Sequence, residues 1–187
     1  MGKRYTQLNA EHKAFIAKQH MFFVATAEAQ GRINLSPKGL DSLRLLDDTS
    51  AVWLNLTGSG NETAAHLRTS PRMTLMFCAF SGEPMILRLY GSARMIQAGD
   101  AQWRDYIARF DDLPGARQLI LVNIDLVQTS CGFGVPQYEY LGQRMQLLEW
   151  AAHKGEAGVR EYQRKNNVIS LDGKPTGIID SDRPQRF

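Results

Sequence analysis

Residues 51–67 read AVWLNLTGSGNETAAHL: an alternating strand, a Gly-Ser-Gly break, then the opening of a helix. Period-two alternation puts Val52, Leu54 and Leu56 on one face and Trp53, Asn55 and Thr57 on the other. The first face predicts core, and the second carries groups that bond a ligand. A strand turning through glycine into a helix leaves backbone N–H groups unpaired and aims the positive end of a helix dipole at the corner. Such a corner suits an anion. Ser59, with Glu62 three residues on, also fits a capping box, which uses two of those amides and leaves others free. The corner is not a Walker loop, because no Gly-Lys-Ser/Thr follows the glycines. It is not a dinucleotide fingerprint either, since the chain has no repeated βαβ alternation.

Upstream, RINLSPKGL (32–40) predicts a short strand over 32–36, ended by Pro37 and Gly39, that delivers Ser36 and Lys38. Alone, Ser-Pro-Lys-Gly is an ordinary strand-ending turn. Its interest comes from partnership with the glycine corner, where Lys38 and Arg32 would supply full positive charge.

The remaining pattern predicts an N-terminal helix over 7–19 anchored by Phe15 and Ile16, and strands over 21–28, 72–80, 85–97 and 117–130. Gly91 lies near the middle of the strand over 85–97, where a barrel can bend. Strand 72–80 is apolar on both faces and needs cover from a barrel interior and from a helix or partner subunit. Asp100 predicts the cap of a helix through Phe110, with Trp103, Tyr106, Ile107 and Phe110 on one stripe. About six strands with inserted helices imply an antiparallel barrel. Residues 142–165 are helical in pattern, and 166–187 are short and turn-rich, with a hairpin turn at Asp172-Gly173. The expected organisation is one domain over 1–141, with the 142–187 helix and tail packed on it.

Composition removes several function classes. The formal net charge is +3, and the cations are dispersed, which predicts a solvated surface and no nucleic-acid tail. No apolar run has the length of a signal peptide or a membrane span, so the expected location is cytoplasmic. Cys78 and Cys131 sit in apolar contexts and are expected to be buried thiols. His12, His20, His66 and His153 share no metal-ligand spacing, and no nucleophile elbow occurs. No catalytic side chain and no metal site is named on these grounds. His66 lies on the short helix, where a surface or capping role competes with a ligand contact.

SPKG, TGSGNETAAHL, the strand RMTLMFCAF and the later SCGFGVPQYEY together resemble the pyridoxamine 5′-phosphate oxidase-like family, over about Phe22 to Tyr140. The resemblance implies a mainly β fold, a six-stranded antiparallel split barrel of the FMN-binding type with a C-terminal helical extension. It also implies a homodimer with two FMN sites at the interface. Carried over residue by residue, Arg32, Asn34, Ser36 and Lys38 fall on the phosphate-binding second strand. Asn55 and Thr57 line the flavin ring, and Asn61, Glu62 and Thr63 occupy the helix entry. His66 stands where the oxidases have a glutamine near the ring.

Three departures matter. The oxidases carry an Arg-Lys pair where this chain has Glu62-Thr63, which shifts the phosphate grip towards Lys38. They also carry a substrate-phosphate arginine where this chain has Gly132-Phe133-Gly134, and they end in a strand where this chain reads DRPQRF. The expected function is an FMN-dependent oxidoreductase acting on a small molecule other than pyridoxamine phosphate. The alternatives are a non-catalytic flavin carrier or stress sensor, or a split barrel holding deazaflavin or haem. The segment 131–140 reads either as a packed turn or as a lid or subunit contact beside the ring.

Overall fold

The computed structural model describes residues 2–178. The tail 179–187, with its DRPQRF ending, lies outside them. Eight strands form one antiparallel sheet: β1 (Lys3–Tyr5), β2 (Phe22–Thr26), β3 (Asn34–Lys38), β4 (Leu43–Leu45), β5 (Ser50–Leu56), β6 (Arg72–Cys78), β7 (Ile86–Ile96) and β8 (Ala116–Ser130). Their order is β3-β2-β6-β7-β8-β5-β4, with β1 added to β8. Helices α1 (Ala10–Ala17), α2 (Glu62–Leu67), α3 (Trp103–Ile107) and α4 (Gln146–Asn166) are inserted between strands or follow them. The curled sheet with a C-terminal helix is the expected split-barrel class.

The two additional strands are three residues each. Such short segments have no measurable alternation, so pairing with β8 and β5 defines them, not local sequence. Pro37 lies inside β3 rather than ending it, opposite Phe23. Because β3 is a sheet edge, a missing N–H there costs no ladder bond. The α3 helix has only five residues, and Asp100 bonds the Gln97 N–H at 2.8 Å instead of capping it. The C-terminal helix breaks at Gly155, whose φ of 64° lies in the left-handed region.

Both faces of β5 are buried, which revises the one-faced expectation. Trp53 joins Val24, Leu75, Phe77, Leu89 and Val122 in the main core inside the curled sheet. Val52 and Leu54 pack outside with Leu119, Ile96, Trp103 and Tyr106, beneath α3. Each fully buried aliphatic side chain contributes about 1.5–3 kcal/mol. Cys78 is buried, but Cys131 is exposed, contrary to expectation, because β8 has already ended at Ser130.

The bend sits where Gly91 predicts it. Tyr90 pairs with Leu126 but Gly91 with Ile124, so the β7–β8 register shifts by one residue. A Cβ at Gly91 would lie 1.9 Å from the Asn123 carbonyl oxygen. Gly91→Ala is therefore expected to lower stability by about 2–3 kcal/mol, read as the urea midpoint. An unchanged midpoint would show that the backbones separate at no cost.

No helix among the described residues is long and apolar enough to cross a membrane.

Candidate anion site

β3 is an edge strand with alternating exposure: Asn34, Ser36 and Lys38 face inward, while Leu35 and Pro37 face out. The inward set meets the Gly58–Thr63 corner, the start of β8 and the segment after α4 around a cavity of about 540 Å³. Asn34, Ser36, Lys38, Asn55, Asn61, Glu62 and Thr63 all line it. Seven of the ten residues proposed from sequence thus share one cavity.

Two cations dominate its electrostatics. The Lys38 ammonium lies 4.9 Å from the centroid of the buried Trp53 ring, a cation–π contact. Burial, reinforced by the neighbouring Arg117, pushes its pKa down to about 8. Arg117, at the start of β8, donates from Nη1 to the Gly60 carbonyl at 3.0 Å and to Asn167 Oδ1 at 2.7 Å. Both partners are neutral. Its Nε is buried without a partner, and burial lowers its pKa to about 10, an effect that neighbouring Tyr162 opposes. A buried guanidinium without a carboxylate is unfavourable unless something else supplies the negative charge.

Asn61 adds the same signal. It is 2% exposed, yet neither Oδ1 nor Nδ2 has a partner. It stands before α2 but makes no side-chain cap bond, so the Ser59–Glu62 capping box does not form. The Glu62 carboxylate instead accepts the Leu171 N–H at 3.0 Å. That bond ties the carboxylate to the segment after α4, while Glu62 still lines the cavity with its charge. The donors around this cavity fit a phosphate.

A polar chain backs the inner wall. Ser36 Oγ donates to Asn34 Oδ1 at 2.9 Å, and Asn34 Nδ2 donates to Thr63 Oγ1 at 3.1 Å and Thr26 Oγ1 at 3.4 Å. Thr26 Oγ1 lies 3.0 Å from His66 Nδ1. His66 is thus buried behind the wall, as a structural partner of Thr26, and does not line the cavity. Asn55 Nδ2 reaches Gln118 Oε1 at 3.5 Å across β5 and β8.

Two further expectations are corrected. Arg32 points away, donating its backbone N–H to Asp172 at 2.7 Å and pairing its guanidinium with the same carboxylate. It lies at the mouth of a turn where a carboxylate from the tail competes for it. Thr57 is used structurally: its hydroxyl donates to the Gly115 carbonyl and accepts from Gln163 Nε2. The segment 131–140 packs by Gly132, whose φ is 69° and whose added Cβ would lie 2.8 Å from the Met85 nitrogen. Tyr138 donates its N–H to the Phe80 carbonyl.

Sequence reasoning missed Arg117 and Asn167. The signal for the first was present: an arginine and a glutamine, both buried, open the otherwise apolar run LILV. The second had none, because Asn167 acts through contacts 50 and 109 residues away.

The family described as pyridoxamine 5′-phosphate oxidase matches residues 8–131. The pyridoxamine 5′-phosphate oxidase family protein ustO of Aspergillus flavus is 37% identical over 191 residues, covering 91% of this chain and 76% of that protein. Among solved structures, a variant of the Group A Streptococcus protein HupZ superposes with a TM-score of 0.52 at 21% identity, covering 65% of this chain and 98% of that one. A Lactobacillus delbrueckii protein assigned to the pyridoxamine 5′-phosphate oxidases gives 0.52 at 18% identity, covering 66% and 94%. These two structures speak for the fold. With a matched region spanning most of the barrel and a relative this similar along nearly all its length, the chain belongs to the pyridoxamine 5′-phosphate oxidase family.

Proposed function

We propose that this protein binds FMN, with the flavin phosphate between Lys38 and Arg117, and that it is an oxidoreductase acting on a small organic substrate. The observation that carries the reading is the buried Arg117 with only neutral partners, facing a cavity shared with Lys38 and an unpartnered Asn61. A phosphate dianion would supply the missing charge, with Lys38, Arg117 and Asn61 as the lining residues that would hold it. Bound flavin supplies hydride or single-electron transfer. The protein's part would be to hold the phosphate, with Asn55 as a lining residue that would meet the flavin. The glycines around Phe133 give no cation for a second phosphate, which supports a substrate other than pyridoxamine phosphate.

Among the described residues, the lining of this cavity offers no His, Cys, Met or Tyr as an axial haem ligand, which favours FMN there. Exposed Ile33, Leu35, Phe133 and Leu141 support a homodimer with sites near the shared face.

The test is the absorbance spectrum of the purified protein, followed by titration with FMN and with riboflavin, which has the same ring without the phosphate. The expected result is a blue-absorbing flavin band and a clear preference for FMN. An intense violet haem band, or equal affinity for the two flavins, would overturn the reading. Reduction of the bound flavin by a nicotinamide cofactor with reoxidation by an added acceptor separates an enzyme from a carrier.

A further inference from the structure

The matched family region stops at residue 131, but the anion cavity does not. Its remaining wall comes from Asn166, the last residue of α4, and from Ile169 to Leu171 beyond it. Asn167, at the end of that helix, is 0% exposed, and its side-chain amide is used at both ends. Oδ1 accepts from Arg117 Nη1 at 2.7 Å, and Nδ2 donates to the Gly58 carbonyl at 3.0 Å. Its own backbone is clamped as well: the N–H donates to the Gln163 carbonyl at 2.8 Å, and the carbonyl accepts from Thr176 Oγ1 at 2.6 Å. One residue therefore ties the buried cation to the glycine corner while being held from two sides.

The tail fastens to the barrel beyond this point. The Leu171 N–H engages Glu62, Asp172 pairs with Arg32, and Lys174 pairs with Glu28. The pairs on Arg32 and Glu28 are ionic, while the Leu171 bond fixes the Glu62 carboxylate without removing its charge. Among the lining residues the cations are Lys38 and Arg117, and Glu62 is the anion.

The choice of an amide at 167 has a chemical reason. A carboxylate there would accept the same hydrogen bond from Arg117 but cancel the charge that an anionic ligand needs. It would also lose the donor to Gly58. An amide supplies the acceptor, keeps the guanidinium charge available and secures the loop.

We propose that the C-terminal segment is a working wall of the anion site and that Asn167 is a positioning residue, fixing the Arg117 guanidinium so that its charge serves the ligand phosphate. This rests on the phosphate reading above. The experiment titrates FMN and riboflavin into the full-length wild type, Asn167→Asp and Asn167→Ala, followed by flavin fluorescence. For Asn167→Asp the expected result is a rise in the FMN Kd of about tenfold or more, the scale of one lost charge-assisted contact. The riboflavin Kd stays unchanged. Asn167→Ala is expected to lower the FMN-over-riboflavin preference in the wild-type background and to leave it unaltered when Arg117→Met is already present.

A wild type that prefers FMN, with variants that keep that preference or lose both flavins in equal proportion, overturns this proposal and leaves the phosphate reading standing. A wild type that does not distinguish the two flavins overturns both. If Asn167→Asp does not fold, the Asn167→Ala and Arg117→Met cycle decides.

Discussion

Arg117→Met is expected to raise the FMN Kd by roughly 30- to 150-fold, about 2–3 kcal/mol, while riboflavin binds as before. The arginine lacks a charged partner. Its two recorded acceptors, the Gly60 carbonyl and Asn167 Oδ1, are neutral, and its Nε has none. A hydrogen bond to a charged group is worth more than one between neutral groups, and it is worth most in a site screened from water. Methionine fills the same space with a flexible apolar chain, so the loss falls on the phosphate contact rather than on packing. It does strand the Asn167 oxygen, so the urea midpoint should be recorded beside the titration. Lys38→Ala is the companion, expected to cost about 1.5–3 kcal/mol of FMN affinity. Because the two cations repel each other in the free cavity, the double variant is expected to lose less than the two single losses added together. If FMN and riboflavin weakened equally in Arg117→Met, the guanidinium would be acting on the ring or the fold, and the phosphate placement would fail.

How much of this was legible beforehand depends on the range of the interactions. The β5 strand, its glycine corner and the three inward residues of β3 announce themselves through local alternation and turn chemistry. The cavity they share follows once β3 pairs with β2. Strands β1 and β4 do not, because a three-residue segment acquires its conformation from the partner it pairs with. Arg32 illustrates a different limit. Its position in RINLSPKGL is equally suited to the cavity or to the outside, and a tail carboxylate 140 residues away decides between them. His66 sits on the correct helix but on its inner side, where Thr26 claims it. The capping box failed because Glu62, free to reach back to its own helix start, is drawn off by the Leu171 N–H. In each case the local chemistry was read correctly, and a long-range partner chose among the options.

The affinity for FMN is expected to depend on pH in a way that riboflavin affinity does not. Lys38 has its pKa pushed down to about 8 by burial and by Arg117. A bound phosphate reverses the balance by favouring the charged ammonium, so the Lys38 pKa rises on binding. Above pH 8 the free cavity has lost that proton, and binding must take one up. The affinity therefore falls as pH rises, by up to about tenfold per unit. Below about pH 6 the phosphate itself becomes a monoanion, so the optimum lies between roughly 6.5 and 8. The stability of the ligand-free protein runs the other way. The unfolded chain keeps the Lys38 proton up to the ordinary lysine pKa, and the folded chain gives it up from about 8. Between those values the unfolded state binds more protons, so stability rises with pH in that window. FMN titrations from pH 6 to 10, paired with urea midpoints of the ligand-free protein, check both signs at once. Lys38→Met should flatten both curves. A wild-type FMN profile as flat as that of riboflavin would place the phosphate away from this lysine, whatever the spectrum showed.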